Sequence, residues 1–547
     1  MRSDSTKLFQ SGLLLTLLFL TACDSDDDDK TSCIPASAPA PVAASTPVPV
    51  ITSMGTDFFL TLPDNICVSE PLKCVNGSTV TNSLIVTSTT ATTGEVTFAG
   101  VVTPFAVAAG GEVVIKPDIF DPITGALISS VVLTTNEVVE AKAIHVTSLA
   151  PVSVHVVSES NFSADGYLAL PTAGLGKNYY VMSYASLSQT GSEFAVVATQ
   201  NATTVTITPK AAGSTHPAGT AFTVLLNSGE TYQMQNPGNA DMTGTYVSAD
   251  KPIAVFSGHR YANVPFNTNW NDYVVEQLPD VSIWGKVHHT SLFSGRSDYA
   301  VRVMASQDNT TFTTIPANLI GTLNAGEFAD VVMTGPGEFV SDKPVLVAQF
   351  IRGYDAETDT TLVKKGDPSM VIITPAEQGM TDATFWVHGL PGTSATSPAF
   401  MNVVTETAAL ANLKLDNVVV NSALFSTVGN YSVGTIPVAP GVHTLLGSVP
   451  YSAIVYDYGV PSRAISYAYP VAAMLSLPVT APPTPPPATT PPAACVADEN
   501  AGGEQSHADS EHDDHARNDI HVHRHHDDSD GHHDGHHDDD DRLAYRA

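Results

Sequence analysis

Short runs of β-branched and apolar residues alternate with turns through the middle of the chain. Between residues 194 and 207, two alternating segments flank a turn at Asn201, and a similar pair flanks Asp308 and Asn309 further on. Alternation with period two on both sides of an Asn-containing turn predicts β-hairpins. The pattern therefore predicts an all-β body made of short strands.

One motif returns four times at intervals of about a hundred residues: a turn marked by Ser or Pro, followed by a β-branched strand. The Asp-Lys before the second and third prolines is interpreted as the turn that feeds this strand, because proline is tolerated at a first strand position. Its prolines are Pro151, Pro252, Pro344 and, more faintly, Pro450. A glycine landmark accompanies each motif, at Gly110, Gly229, Gly326 and, more weakly, Gly441. The repetition predicts a tandem array of four units.

A unit of about a hundred residues with seven or eight strands fits a two-sheet β-sandwich. A propeller blade has a period of only about 45 residues and ranks second. The predicted fold class is all-β, with tandem β-sandwich-like repeats, disordered Pro-rich linkers and a disordered His/Asp-rich tail. The predicted divisions are a signal peptide (1–23), a linker (24–52), repeats 1 to 4 (53–160, 161–262, 263–354 and 355–475), a second linker (476–495) and the tail (496–547).

Several motifs resemble the N-terminal domain of IgG Fc-binding proteins, collinearly from about residue 55 to 475. They are Leu175-Gly176-Lys177-Asn178-Tyr179-Tyr180-Val181, Thr243-Gly244-Thr245-Tyr246-Val247-Ser248, Ser257-Gly258-His259, Glu276-Gln277-Leu278-Pro279 and Gly366-Asp367-Pro368-Ser369-Met370. The resemblance implies a non-catalytic binding protein, like a secreted mucosal protein of animals or bacterial cell-surface proteins. No Fc-contacting residue is carried over by it, and the chain lacks the cysteine-rich modules of the animal namesake.

The first 23 residues are typical of a bacterial lipoprotein signal: basic residues, an apolar run, then Leu20-Thr21-Ala22-Cys23. We expect lipidation of Cys23 and attachment by lipid, since the apolar run is too short to span a bilayer. An ordinary secretory signal or an uncleaved anchor is the alternative. Asp24 resembles an inner-membrane retention signal, whereas Asp26 to Asp29 resemble a surface-export signal, and the sequence does not choose between them. The expected location is the cell envelope, at the outer membrane or cell surface, with the membrane face left open.

Four further cysteines are Cys33, Cys67, Cys74 and Cys495. An even number in an oxidising compartment favours disulfides over a metal site, and no Cys-x-x-Cys pair is present. Cys67 and Cys74 enclose a short loop that a disulfide could close, and pairing of Cys33 with Cys495 would join the two linkers. The connectivity is not fixed by the sequence.

No catalytic or nucleotide-binding motif occurs in the sequence, so we expect no enzymatic activity. Asp250, His259 and Arg260 could be imagined as a site, but a structural role is favoured because the other repeats carry unlike residues there. His288 and His289 lie in a strand-like stretch and are interpreted as packing residues.

The tail carries eleven of the nineteen histidines and sixteen acidic residues against four arginines, about −12 of the net charge of −32. Imidazoles and carboxylates are ligands for Zn²⁺, Ni²⁺ and Cu²⁺, and such a tract binds them with little selectivity. A solvating polyelectrolyte is the alternative. The candidate ligands are His521, His523, His525, His526, His532, His533, His536 and His537.

The acidic charge argues against nucleic acid as a partner and permits divalent cations, basic proteins or glycans. The sequence therefore predicts a cell-envelope lipoprotein that binds a protein or glycan ligand through its β-repeat body and requires no cofactor. Metal sequestration by the tail is the second hypothesis, and a hydrolase without a visible motif is the third.

Overall fold

The computed structural model describes residues 50–73, 79–186, 191–315, 319–394, 397–460 and 463–476. Their dominant element is the β-strand, which confirms the predicted all-β class. Helices in the described residues are short: α1 (Ile66–Ser69) and 3-10 helices at Pro71–Lys73, Thr172–Gly174, Val281–Ile283, Tyr354–Ala356, Ala376–Gln378, Thr407–Asn412 and Ser422–Leu424. Within these residues, no helix has the length and apolar character to cross a bilayer.

The strands form four units that follow one another along the chain. Unit 1 contains β1 (Gly55–Leu60), β2 (Thr81–Ser88), β3 (Thr92–Phe98), β4 (Val101–Val107), β5 (Gly111–Ile115), β6 (Ile119–Phe120), β7 (Leu127–Ser129), β8 (Val139–Glu140), β9 (Ile144–Glu159) and β10 (Ala164–Leu168). Unit 2 contains β11 (Asn178–Tyr180), β12 (Ser192–Ala198), β13 (Thr203–Thr208), β14 (Phe222–Leu226), β15 (Thr231–Gln235), β16 (Tyr246–Ala249), β17 (Ile253–Ala262) and β18 (Asp272–Gln277).

Units 3 and 4 repeat the same order. Unit 3 contains β19 (Gly285–Thr290), β20 (Tyr299–Ala305), β21 (Thr310–Ile315), β22 (Ile320–Leu323), β23 (Phe328–Met333), β24 (Gly337–Ile351) and β25 (Ser369–Ile372). Unit 4 contains β26 (Met380–Val387), β27 (Ala399–Glu406), β28 (Lys414–Leu415), β29 (Val418–Val419), β30 (Phe425–Val428), β31 (Tyr431–Val438), β32 (Gly441–Asp457) and β33 (Tyr467–Pro470).

Each unit is a pair of antiparallel sheets connected by one long strand. In unit 1, the first half of β9 pairs with β1 and β3, and its second half pairs with β2 and β10. β24 and β32 divide their partners between two sheets in the same way. In unit 2 the same path is split into β16 and β17.

The repeated proline marks the place where the long strand passes from one sheet to the other. In units 1, 3 and 4 this is a bend inside a continuous strand rather than the predicted separate turn, and only unit 2 is interrupted, between Ala249 and Ile253. In units 2 and 3 the Asp of the Asp-Lys pair also fixes a neighbouring hairpin: Asp250 accepts a hydrogen bond from Thr204 N at 2.8 Å, and Asp342 accepts one from Thr311 N at 2.7 Å. The motif therefore joins two sheets and a hairpin.

The glycine landmark occupies one turn, before the fifth strand, in units 1 to 3. Gly110, Gly229 and Gly326 have φ of +67°, +80° and +73°, a conformation that glycine adopts without steric cost. The assignment of Gly441 to this position was wrong, because it begins the long strand β32. Gly429, with φ of +57°, lies in the corresponding turn before β31.

The last strands of the four units, β10, β18, β25 and β33, lie side by side around one axis. β18 and β33 each contact both β10 and β25, so the units close into a ring. The chain enters and leaves this ring at one place, where Leu475 N donates to Ile51 O at 2.8 Å and Ser53 N donates to Ala473 O at 2.9 Å. The predicted repeat boundaries at 160, 262 and 354 precede β10, β18 and β25, the strands that build the axis.

Neighbouring units share their apolar cores. Phe194 and Val196 face the core of unit 2, while Val197 and Phe256 pack into the core of unit 1 from the opposite face of the same sheet. A sheet buried on both faces requires nearly continuous apolar strands, which is why β12 and β20 are buried at every position. The units are therefore not independently packed domains, because each shares core residues with its neighbour.

Candidate functional site

A cavity opens at the end of the axis that is formed by the first residues of β10, β18, β25 and β33 and by the loops before them. We call it the rim cavity, and its volume is about 220 Å³. Each unit contributes to it through the loop before its last strand. The lining residues are Phe162 from unit 1, Tyr261, Asn269, Trp270 and Asn271 from unit 2, Asp367 from unit 3, and Arg463 and Ala464 from unit 4.

Trp270 is the exposed aromatic residue of the rim cavity. Its side chain is 46% exposed, although its indole Nε1 donates to Asp355 Oδ2 at 2.8 Å. The indole also packs against the ring of Tyr354, with 5.1 Å between centroids. The polar edge is thus already satisfied and the ring is held in place, so the group left for a ligand is an apolar aromatic surface.

Two non-glycine residues of the rim cavity have left-handed backbone conformations. Trp270 has φ of +67° and Ala464 has φ of +46°. Ala202 and Asn309 also have positive φ, but they lie in tight hairpin turns that call for it. Trp270 and Ala464 lie instead in the loops before β18 and β33. Strain of this kind is held by its surroundings and clusters at binding sites.

Asp367 is the most deeply buried charged-type residue that lines the rim cavity, with 2% of its surface exposed. Burial raises the pKa of Asp367 well above its usual range. Burial likewise raises the pKa of Asp272, and the neighbouring Asp367 raises it further. In both groups burial disfavours the charged carboxylate relative to the neutral acid.

Arg463 supplies the positive charge of the rim cavity. Its Nη1 lies 3.5 Å from Asn161 Oδ1, and no carboxylate of the described residues forms an ion pair with it. Arg260, in contrast, lies 3.1 Å from Asp64 and 2.7 Å from Glu70. Arg463 is therefore an available guanidinium in a strongly acidic chain.

A second cavity lies at the opposite end of the axis. Its lining is mostly apolar, and its volume of about 50 Å³ is much smaller than that of the rim cavity. Leu170, Trp284, Ile372 and Leu475 are among its lining residues, which places the entry and exit of the chain at this end. The rim cavity is the better candidate for a ligand.

The three residues that could have formed a catalytic site do not meet. Asp250 binds the hairpin of unit 2, His259 is fully buried and accepts a hydrogen bond from Tyr261 N at 2.9 Å, and Arg260 pairs with Asp64 and Glu70. Burial lowers the pKa of His259 to about 3, so it is neutral. Their roles are structural.

His288 and His289 are buried in β19. Burial lowers the pKa of His288 to about 3 and that of His289 to about 4. The ring of His289 packs on Tyr431 at 4.0 Å. No group of three His, Cys, Asp or Glu in the described part of the chain is arranged to hold a metal ion.

The predicted covalent and metal sites lie almost entirely outside the described residues. Cys67 is disulfide-bonded, whereas Cys23, Cys33, Cys74 and Cys495 are not described, so the predicted pairing of Cys67 with Cys74 stays a prediction. The eight tail histidines from His521 to His537 are outside as well.

The sequence reasoning missed the rim residues. The available signal was Asn269-Trp270-Asn271, a tryptophan between two asparagines in a segment without strand alternation. Arg463 gave no signal, since its proximity to Trp270 depends on the closure of the ring.

Comparison with known proteins finds similarity over the middle of the sequence. A family model described as "IgGFc binding protein" matches residues 165–456. The chain is 27% identical over 280 residues to the IgGFc-binding protein of Homo sapiens, and these residues are 50% of this chain but only 5% of the human protein. The matched residues include Trp270 and Asp367 but not Arg463.

A solved structure described as "Ca2+-stabilized adhesin helps an Antarctic bacterium reach out and bind ice" covers 77% of this chain and 98% of its own, with 11% identity. Its TM-score of 0.10 is too low to support a common fold.

Proposed function

The chain belongs to the IgGFc-binding protein family, and we propose that it is a lipid-anchored protein of the bacterial cell envelope that captures a protein or glycan ligand. Membership of a family named for binding supports a non-catalytic role. The observation that carries the proposal is the rim cavity, because all four units contribute to it and it presents an exposed, fixed Trp270.

The position of the chain ends supports this use of the rim cavity. Ile51 and Leu475 pair at the opposite end of the axis. Neither of these two segments of the described chain therefore crosses the rim, which leaves the cavity open to a ligand.

Cell labelling tests the location. The tagged protein is labelled on whole cells with and without permeabilisation of the outer membrane, for the wild type and for Cys23→Ser. We expect labelling of intact cells that Cys23→Ser abolishes. Labelling that requires permeabilisation would contradict a surface position.

Binding to immobilised immunoglobulin Fc and to a mucin glycoprotein tests the function. We expect the full chain to bind at least one of the two immobilised proteins, and the Trp270→Ala variant to lose that binding. Phe266→Ala is the matched control, because Phe266 is 47% exposed in the same loop but does not line the cavity. Equal binding by Trp270→Ala and Phe266→Ala would refute the rim cavity as the binding site.

We also propose that the histidine tract binds divalent metal, because it concentrates eleven histidines among sixteen acidic residues. Calorimetric titration with Zn²⁺, Ni²⁺ and Cu²⁺ compares the full chain with a chain lacking residues 496–547. We expect binding to all three ions that the deletion removes. Binding that survives the deletion would assign the metal to another part of the chain.

A further inference from the structure

We propose that the rim cavity binds a terminal acidic sugar residue, with the sugar ring on the Trp270 indole and the sugar carboxylate on the Arg463 guanidinium. This inference deepens the proposed function and rests on it, since it specifies the ligand of the same cavity. The volume of about 220 Å³ suits one ring-sized group better than a protein loop or helix.

The fixed indole provides a surface for the ring. The Nε1 of Trp270 is occupied by Asp355, and Tyr354 supports the indole from one side. The remaining exposed surface is aromatic carbon. The C–H groups on one face of a pyranose pack on such a surface, while the sugar hydroxyls keep their hydrogen bonds at the edge.

The available guanidinium provides charge recognition. Arg463 forms no ion pair with the described carboxylates, including Asp367, which lines the same cavity. A guanidinium binds a carboxylate through two parallel hydrogen bonds, which are about twice as strong as neutral ones. An acidic sugar would therefore supply the carboxylate that Arg463 lacks.

Neutral polar groups complete the lining. Asn269 and Asn271 each carry an amide that can donate and accept, and Asn271 Nδ2 lies 3.4 Å from Tyr261 O. Burial raises the pKa of Tyr261 to about 12, so its hydroxyl is neutral. Such groups match sugar hydroxyls, which also donate and accept.

The test is calorimetric titration of the full chain with four small probes. N-acetylneuraminic acid and glucuronic acid carry both a ring and a carboxylate, glucose carries only the ring, and acetate carries only the carboxylate. We expect an acidic sugar to bind at least about ten-fold more tightly than glucose and acetate, a difference of about 1.4 kcal/mol. Equal affinity for glucose would overturn the role of Arg463, and the absence of binding by both acidic sugars would overturn the inference.

Paired variants separate the two contacts. We expect Arg463→Gln to lower the affinity for the acidic sugar by at least about ten-fold and to leave the affinity for glucose unchanged. Arg463→Lys should recover part of the lost affinity. Trp270→Ala should weaken all ring-containing probes, whereas Trp270→Phe and Phe266→Ala should not. Circular dichroism and thermal melting show whether each variant is folded, and uniform effects across the five variants would contradict the assignment.

Removing the terminal acidic sugars from the mucin glycoprotein separates this inference from the proposed function. We expect capture by the full chain to be lost. Capture that survives desialylation and still requires Trp270 would refute the sugar and leave the cavity as a protein-binding site. Capture that no rim variant alters would refute both.

Discussion

The carboxyl group of Asp165 accepts hydrogen bonds from Val275 N at 3.1 Å and from Met370 N at 3.3 Å, so one side chain of unit 1 binds the last strands of units 2 and 3. Its other oxygen accepts from Ser369 Oγ at 2.9 Å. Glu276 acts likewise, accepting from Ile372 N at 3.2 Å. Strands that meet edge to edge around an axis have unpaired N–H groups, and these acidic side chains supply the acceptors.

Replacing Asp165 with Ala should remove three hydrogen bonds and leave buried donors unpaired. We expect a loss of about 3 kcal/mol or more in the free energy of unfolding, since each unsatisfied buried group costs about 1–3 kcal/mol. Asp165→Asn retains an acceptor and a similar shape, and should cost less. Denaturant unfolding of both full-length variants measures the difference, and equal losses would show that the acceptor role is unimportant.

The pH dependence of Asp165→Asn should reveal the buried carboxyl. Burial raises the pKa of Asp165 well above its usual range, whereas an unfolded Asp has a pKa of about 3.9. The folded state therefore holds the proton more tightly, and this contribution to stability is lost as the pH rises above about 4. The asparagine does not titrate, so its stability relative to the wild type should improve from about pH 4 to 7. A difference that is constant with pH would contradict a protonated Asp165.

His155 should respond in the opposite direction. It is fully buried 4.9 Å from the ring of Tyr469, and neither ring nitrogen has a hydrogen-bond partner in the described residues. Burial lowers its pKa to about 3. Between about pH 6.5 and 3 the unfolded chain binds the extra proton, so stability falls with falling pH.

We expect His155→Phe to stabilise the protein by about 1–2 kcal/mol at neutral pH, because it removes two unpaired polar atoms. The gain should grow as the pH falls below about 6.5. Urea unfolding at several pH values measures this gain. Parallel stability curves for the two proteins would refute the depressed pKa.

Gly258 should not tolerate a side chain. A Cβ there would lie 1.7 Å from Val274 O, within the pairing of β17 with β18. We expect Gly258→Ala to destabilise the chain by about 3 kcal/mol or more, because the strands cannot approach. The matched control is Gly335→Ala, where a Cβ would meet nothing within 4 Å. A melting temperature for Gly258→Ala equal to that of the control would contradict the close pairing.

Arg302 connects units 2 and 3. Its guanidinium lies 2.7 Å from both Asp241 and Asp330, between the rings of Tyr184 and Phe328. We expect Arg302→Met to lower the free energy of unfolding by about 2–4 kcal/mol. This loss is smaller than for breaking a fully buried ion pair, because the side chain of Asp330 is 44% exposed.

The exposed pair Lys364 and Asp355, at 3.4 Å, provides the comparison for Arg302. Lys364→Ala should cost about 1 kcal/mol or less, because solvent screens an exposed ion pair. Equal unfolding midpoints for Lys364→Ala and Arg302→Met would show that Arg302 does not stabilise the contact between the units.

The sequence predicts the strands and their repetition because both are local. Hairpin turns at Asn201 and Asn309 and the prolines at 252 and 344 act over a few residues, and the structure places each of them at an equivalent point of its unit. The closure of the ring is not local. It depends on contacts such as Asp165 with Met370, which are 205 residues apart.

The rim cavity could not be predicted for the same reason. Asn161 and Arg463 approach within 3.5 Å across 302 residues of sequence, and a single arginine in a loop has no periodicity to distinguish it. Trp270 was more accessible to prediction, since a large aromatic residue between two asparagines does not fit a buried strand. What the sequence could not show is that Asp355 and Tyr354 hold the indole in place.

The pairing of Ile51 with Leu475 has a mechanical consequence. A pull that separates the two segments would act on a few backbone hydrogen bonds, those of Leu475 N with Ile51 O and of Ser53 N with Ala473 O. These bonds would break one after another rather than together. A pull applied along the axis at the rim would instead load the four last strands, which the side chains of Asp165 and Glu276 connect to one another. The ring should therefore yield more easily when its two ends are separated than when force is applied at the rim.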